Sequence, residues 1–141
     1  MSWDILLINS NQKLDLESET VDFPLFPPRK ELVRIFQQTF PDIELSEDGW
    51  GTIDEANYSI ELNLGANEVD AQDQLFLNIR GNEDPAPKIA ELCKKAGWQA
   101  FDTTMGDYLD LENPTRNGFS GWTAYRNQIV ETASKPWWKF W

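Results

Sequence analysis

Residues 58–64 read Tyr-Ser-Ile-Glu-Leu-Asn-Leu, and residues 74–80 read Gln-Leu-Phe-Leu-Asn-Ile-Arg. Apolar and polar side chains alternate along both segments, a pattern typical of half-buried β-strands. Even-numbered positions are apolar in the first segment, whereas Leu75, Leu77 and Ile79 form the apolar set of the second. The two segments therefore predict a hairpin whose apolar side chains share the core face of a sheet.

The register of this hairpin follows from its apolar faces, since a slip of one residue would expose the apolar side chains of one strand. The predicted opposed pairs are Leu62 with Leu77, Glu61 with Asn78, and Ser59 with Arg80. Glu61 and Arg80 then become diagonal neighbours within reach of an ion pair. The face turned away from the core carries a polar strip of five residues: Ser59, Glu61, Asn63, Asn78 and Arg80.

Two interpretations of this polar strip stay open. One face of an antiparallel sheet commonly contacts water, so the simpler one is a solvated face with a surface ion pair worth about 0–1 kcal/mol. The other is a ligand or partner site. Its candidate binding residues are Trp50, Ser59, Glu61, Asn78, Arg80 and Asp102.

The rest of the chain adds one strand before the hairpin and further elements around it. Apolar spacing predicts a strand over residues 3–8, helices beginning near Pro28, Asp84 and Ser120, and a short strand over residues 99–103. Pro41 is expected to end the first helix, and Asp84 and Gly97 are expected to cap the second. Residues 9–29 predict an extended loop held to the core by its aromatic side chains. The fold class is α+β, with an antiparallel or mixed sheet of four to five strands and two to three helices mainly on one face. Residues 1–134 form a single domain, and residues 135–141 an aromatic C-terminal tail.

The net charge of −12 limits the choice of partner. An acidic surface repels phosphate backbones and anionic membranes, so we expect neither nucleic acid nor membrane binding. The same charge attracts a basic protein and raises its association rate. Solubility alone is the simpler explanation of such a charge.

The chain has no histidine and one cysteine, Cys93. These counts exclude an internal disulfide and the Ser-His-Asp and Cys-His arrangements, and they make a zinc site improbable. We therefore expect no metal and no cofactor, and we place Cys93 on the buried face of a helix. The N-terminus lacks the pattern of a signal peptide, and no apolar run approaches the length that spans a bilayer, so we expect a cytoplasmic protein.

Carboxylates are the remaining candidates for acid–base chemistry. Glu61 and Asp102 form the pair to test if both face away from the core on neighbouring strands, with Arg80 beside them as the anion-binding group and Trp50 as a wall. The density of acidic residues makes such pairs frequent by chance.

Four aromatic residues occur among the last five, Trp137-Trp138-Lys139-Phe140-Trp141. Leaving them in water would be costly, because each can bury roughly 150–250 Å². The tail is expected to fold back on its own domain, with self-association into a homo-oligomer as the second interpretation and a membrane-interface anchor as the third.

One set of motifs resembles a family of small uncharacterised bacterial proteins. The motifs are Trp50-Gly51, Ser59-x-Glu61-x-Asn63-x-Gly65, Leu77-x-Ile79-Arg80-Gly81, Ala100-Phe101-Asp102-Thr103 and Gly106. The resemblance covers residues 3–109 and implies an α+β cytoplasmic protein without established catalytic residues. Within that span the loop over residues 9–29 is not part of the resemblance, and the C-terminal tail is not part of it either.

Three functional hypotheses follow. The preferred one is a non-catalytic acidic module that binds a basic protein, for example as an immunity or antitoxin protein. The second is a small-ligand-binding or hydrolytic protein built on Glu61, Arg80 and Asp102. The third is a structural domain that self-associates through its tail.

Overall fold

The computed structural model describes residues 2–65 and 71–134, with side chains described as far as residue 127. Its elements, in chain order, are β1 (Trp3–Ile8), α1 (Arg29–Gln37), β2 (Glu44–Leu45), β3 (Trp50–Asp54), β4 (Tyr58–Asn63), β5 (Leu75–Gly81), α2 (Ala86–Ala96), β6 (Gln99–Asp102), β7 (Asp107–Tyr108) and α3 (Phe119–Ser134). The α+β class is therefore confirmed.

Within the described residues the strands form one seven-stranded sheet in the order β2-β3-β4-β5-β1-β6-β7. Every neighbouring pair is antiparallel. The sequence-based count of four to five strands was too low. Strands β2 and β7 have two residues each, and two residues are too few to show an alternating pattern.

The predicted hairpin is confirmed in its register. Strands β4 and β5 pair Ser59 with Arg80 and Glu61 with Asn78. The inward side chains of both strands are buried, and Ile60, Leu62, Leu77 and Ile79 expose no surface. The alternation thus set both the pairing and the face that each residue occupies.

Strand β1 lies between β5 and β6, at the interior of the sheet. Its last four residues, Ile5-Leu6-Leu7-Ile8, are all buried, because both faces of the sheet are covered along that part of the strand. A continuous apolar run is what such a doubly covered strand requires.

The main core lies between the sheet and the three helices. Helix α1 contributes Leu32 and Phe36, and α2 contributes Ile89, Leu92 and Cys93. The first turn of α3 adds Phe119 and Trp122 to the same cluster. The helices therefore pack on one face of the sheet, as predicted.

A second, smaller apolar cluster lies on the opposite face of the sheet. Leu6, Ile8 and Tyr108 are its buried members. The segment that follows β1 packs on them with Leu14, Leu16 and Phe23. Further along that segment Phe26 enters the main core and meets the ring of Trp98 edge-on, with centroids 5.1 Å apart. The predicted extended loop is thus held down on both faces.

Helix α2 begins at Ala86 with Pro85, one residue after the expected Asp84, at the N-cap position, and it ends at the expected Gly97. The Asp84 side chain accepts a hydrogen bond from the backbone N–H of Ala86 at 2.9 Å. Gly97 adopts the left-handed conformation after the last turn, with φ 75°, and its N–H bonds the carbonyl of Cys93. Helix α1 ends at Gln37, four residues earlier than the proline at position 41 that was expected to stop it.

No helix in the described part of the chain is both long enough and apolar enough to cross a bilayer. The aromatic tail at residues 135–141 lies outside the described residues, and so do the expectations attached to it.

Candidate binding surface on the open sheet face

The face of the sheet opposite the helices is covered only in part. Leu14, Leu16 and Phe23 cover it over β1, β6 and β7. The outward side chains of β3, β4 and β5 form what we call the open face: Trp50, Thr52, Asp54, Ser59, Glu61, Asn63, Phe76, Asn78 and Arg80. Five of the six predicted binding residues belong to it.

The predicted ion pair is present on the open face. A guanidinium nitrogen of Arg80 lies 3.6 Å from a carboxylate oxygen of Glu61, and about half of each side chain is exposed, 48% and 49%. A pair this exposed is screened by water and salt, so it contributes at most about 1 kcal/mol to stability. Its position on a solvated face leaves both charges accessible to a partner.

The open face carries more negative than positive charge. Two carboxylates, those of Asp54 and Glu61, belong to the open face, and those of Asp4 on β1 and Asp73 just before β5 lie beside it. Arg80 is the one outward basic residue among the described residues of β3, β4 and β5. The surface therefore favours cationic over anionic partners.

A groove with two exposed aromatic side chains lies across the open face. Its lining residues, which define what we call the aromatic groove, are Trp50, Asn63, Gln72, Asp73, Gln74, Phe76 and Asn78. The groove has a volume of about 370 Å³. Trp50 is 45% exposed and Phe76 is 44% exposed, a large solvent-facing apolar area for two strand residues.

The sheet register sets the spacing of the two rings. Trp50 pairs directly with Asn63 across β3 and β4. Because Glu61 pairs with Asn78, the same antiparallel register brings Asn63 opposite Phe76. Neighbouring strands are about 4.8 Å apart, so the backbones that carry the two rings are about 10 Å apart with Asn63 between them.

Local hydrogen bonds hold the ends of the groove. The turn before β3 fixes Trp50, whose backbone N–H donates to Ser46 Oγ at 3.1 Å and whose carbonyl accepts from Ser46 N–H at 2.9 Å. At the other end, Gln72 Nε2 donates to the carbonyl of Asn63 at 3.2 Å. The Gln72 carbonyl in turn accepts from the N–H of Phe26 at 2.7 Å, which ties the groove to the main core.

Asp102 does not belong to this surface, which corrects the predicted site. Strand β6 pairs with β1 and β7, and β5 and β1 separate it from β4. Asp102 lies opposite Ile5, on the face that packs against the helices, and exposes no surface. Glu61 and Asp102 therefore cannot act as a pair on one substrate, because the sheet stands between them.

The buried carboxylate of Asp102 has a structural arrangement of donors. Oδ1 accepts from Trp3 Nε1 at 2.9 Å and from the backbone N–H groups of Thr104 and Met105 at 3.0 and 3.2 Å. Oδ2 accepts from the N–H of Gly118 at 2.6 Å. These bonds join β1, the turn after β6 and the start of α3, and they meet the requirement that a buried charge be hydrogen-bonded.

Of the groove residues, only Trp50 and Asn78 were among the binding candidates predicted from the sequence. One indication was available, since Phe76 occupies a polar position of the alternating pattern in residues 74–80. An aromatic residue on the solvated face of a strand is typical of a covered or a binding surface. The contribution of Gln72 and Asp73 could not be inferred, because it depends on how the chain enters β5.

The titratable groups whose pKa burial raises lie away from the groove. Burial raises the pKa of Tyr58, and the nearby carboxylates of Glu55 and Glu83 add to the effect. Burial also raises the pKa of Cys93, to about 12, so this thiol is neutral inside the main core. The described residues contain no group of three potential ligands that could hold a metal ion.

Comparisons with known proteins returned no matching family model, no matching curated protein and no matching solved structure. The resemblance to a family of small bacterial proteins therefore stays a prediction.

Proposed function

We propose that this chain is a non-catalytic binding protein whose open face docks a basic protein partner. The observation that carries the proposal is the combination of the exposed rings of Trp50 and Phe76 with an acidic surround on one solvated sheet face. Protein interfaces typically combine a few aromatic anchors with a polar rim, and aromatic side chains are enriched among the residues that contribute most to affinity.

Charge supports a basic partner in particular. The whole chain carries −12, and the described residues of β3, β4 and β5 place two carboxylates, Asp54 and Glu61, against one guanidinium, with Asp4 and Asp73 beside them. Fields of this kind speed the association of oppositely charged proteins and weaken with salt, since the Debye length falls to about 10 Å at 0.1 M. The partner should therefore bind more slowly, and less tightly, as ionic strength rises.

A concrete form of this proposal is an immunity or antitoxin protein that occupies a cationic, nucleic-acid-binding cleft of its target. Such a protein presents carboxylates where the target expects phosphates. The support for it is the charge and the position of the acidic groups around a surface that offers aromatic anchors.

The hydrolytic alternative lacks the arrangement of residues on which it was based. It required Glu61, Arg80 and Asp102 on one face, and the Asp102 carboxylate is buried under the helices with four backbone or indole donors around it. Asp102 therefore cannot serve with Glu61 as the acid and base of a glycosidase-like reaction.

Affinity capture with matched variants tests the proposal. Immobilised full-length protein is compared with Trp50→Ala/Phe76→Ala in a lysate of the cells that express it, at low and at moderate salt. We expect the wild type to retain a protein of high isoelectric point that the double variant does not retain. The control is Tyr125→Ala, which removes an exposed aromatic side chain from α3, away from the open face.

Two outcomes contradict the proposal. One is that no basic protein is recovered at either salt concentration. The other is that the double variant retains the same proteins as the wild type, while urea unfolding shows that both are folded. In the second case the partner binds elsewhere, and the open face is only a solvated surface.

A further inference from the structure

We infer that the aromatic groove binds the guanidinium of an arginine side chain presented by the basic partner. This inference depends on the proposed function, because it names the chemical group by which that partner is recognised. It goes further in assigning a selective site on a surface that would otherwise attract any cation.

The spacing of the strands that carry the two rings is wide enough for a flat group. The strands that carry Trp50 and Phe76 are separated by the single strand that carries Asn63, so their backbones lie about 10 Å apart. A planar group in contact with one ring on each side needs about 7 Å between the ring planes. The backbone separation exceeds this width by about 3 Å, which leaves room for the rings to be displaced sideways from the strands that carry them.

The lining of the groove offers acceptors and negative charge. Asn78, Gln72 and Gln74 each bring a side-chain carbonyl oxygen, and Asp73 brings a carboxylate. The Asn63 side-chain oxygen already accepts from the N–H of Gly65 at 2.9 Å. No basic residue lines it among the described residues. A guanidinium has five N–H donors and no acceptor, so this lining complements it better than it complements an anion.

Competing groups fit less well. A lysine ammonium is compact and strongly hydrated, and it cannot lie flat between two rings. A nucleobase is planar, but the phosphates attached to it would meet a chain of net charge −12. A neutral planar amide would stack without gaining the attraction of a cation to the face of an aromatic ring, which is strongest for Trp.

Synthetic peptides of equal length separate these possibilities. Hexaarginine, hexalysine and hexacitrulline are titrated into the full-length protein by calorimetry at low and at moderate salt. Citrulline retains the planar end of arginine and lacks its charge. We expect hexaarginine to bind about fivefold more tightly than hexalysine, and hexacitrulline to show no measurable binding.

Variants assign the difference to the groove. In Trp50→Ala and in Phe76→Ala, the preference for arginine should fall below about twofold while hexalysine binds as before. Tyr125→Ala should keep the full preference. Urea unfolding of each variant establishes that it is folded, and if either groove variant is not, Trp50→Leu and Phe76→Leu keep an apolar side chain without a ring.

Several results overturn the inference. Equal affinity of the wild type for hexaarginine and hexalysine would show attraction by charge alone, which leaves the proposed function standing. Tight binding of hexacitrulline would show that the groove takes a neutral planar group. An unchanged preference for arginine in both groove variants would place the selectivity elsewhere. If neither cationic peptide binds even at low salt, the proposed function falls together with this inference.

Discussion

Replacement of Asp102 by Asn tests the main structural correction, that this carboxylate organises the fold and takes no part in the open face. The Asp102 oxygens accept four hydrogen bonds in a site without exposed surface, from Trp3 Nε1 and from the N–H groups of Thr104, Met105 and Gly118. The asparagine side chain has nearly the same shape. It replaces one acceptor oxygen with an NH2 group, and it removes the charge.

The magnitude follows from counting these bonds. Three donors lie on Oδ1 and one on Oδ2, so the least costly orientation of asparagine turns its NH2 toward Gly118 N–H. A buried donor without an acceptor costs about 1–3 kcal/mol. Each of the other three bonds loses its charge assistance, worth about 1 kcal/mol each. Burying a neutral group in place of a charge returns part of this cost, so we expect a net loss of about 2–4 kcal/mol.

The assay is urea unfolding at pH 7 followed by circular dichroism, with Asp48→Asn as the control. Asp48 is exposed in the turn before β3, so its neutralisation removes the same charge and should change the free energy of unfolding by less than about 0.5 kcal/mol. Hydrogen exchange should also show faster exchange of the Gly118 and Thr104 amides in Asp102→Asn. Equal stability of the two variants would refute the assignment of Asp102 as a structural anchor.

Two further predictions concern the same core. Gly118→Ala should destabilise the protein by about 1–3 kcal/mol, because the new Cβ would lie 2.9 Å from Thr104 Cβ. Gly121→Ala on α3 has open space around its Cβ, so it should be neutral or stabilising by up to about 1 kcal/mol. Similar urea midpoints for the two variants would contradict this prediction. Burial raises the pKa of Cys93 from 9.0 to about 12. Between these pH values the unfolded chain releases a proton that the folded chain keeps, so the free energy of unfolding falls as pH rises, by at most about 1.4 kcal/mol per pH unit. In urea titrations over this pH range, the free energy of unfolding of Cys93→Ala should decline less steeply than that of the wild type. Cys93 of the folded wild type should not react with a thiol reagent at pH 8. Rapid labelling without urea would contradict the burial of this thiol.

The hairpin was predictable in detail because its pattern is local. Alternation over residues 58–64 and 74–80 identified both strands, and the need to bury one apolar face chose the register that pairs Glu61 with Asn78. The same local rules identified the C-terminal cap of α2 at Gly97 and the buried face that holds Cys93. In each case the residues that decide the outcome are within a few positions of one another or on two adjacent strands.

The face taken by Asp102 was not predictable in the same way. Phe101 and Asp102 alternate, and the usual rule turns the aromatic residue to the core and the acid to water. The structure has the opposite arrangement, because the segment after β1 builds a second apolar cluster where Phe101 packs edge-on against Tyr108. Asp102 is then turned toward the helices, where Trp3 and the backbone supply its donors.

The α+β class, the central hairpin with its register and the acidic character of the surface follow from local periodicity or composition, so the sequence was enough to predict them. The neighbours of the other strands depend on tertiary packing, which places Trp50 and Phe76 on either side of Asn63 and Asp102 on the face covered by the helices. The physical reason is that the alternating pattern of a strand defines its two faces but does not determine which segments of the chain cover each face. That choice is made by segments far away in the chain, here residues 9–28 on one face and the three helices on the other.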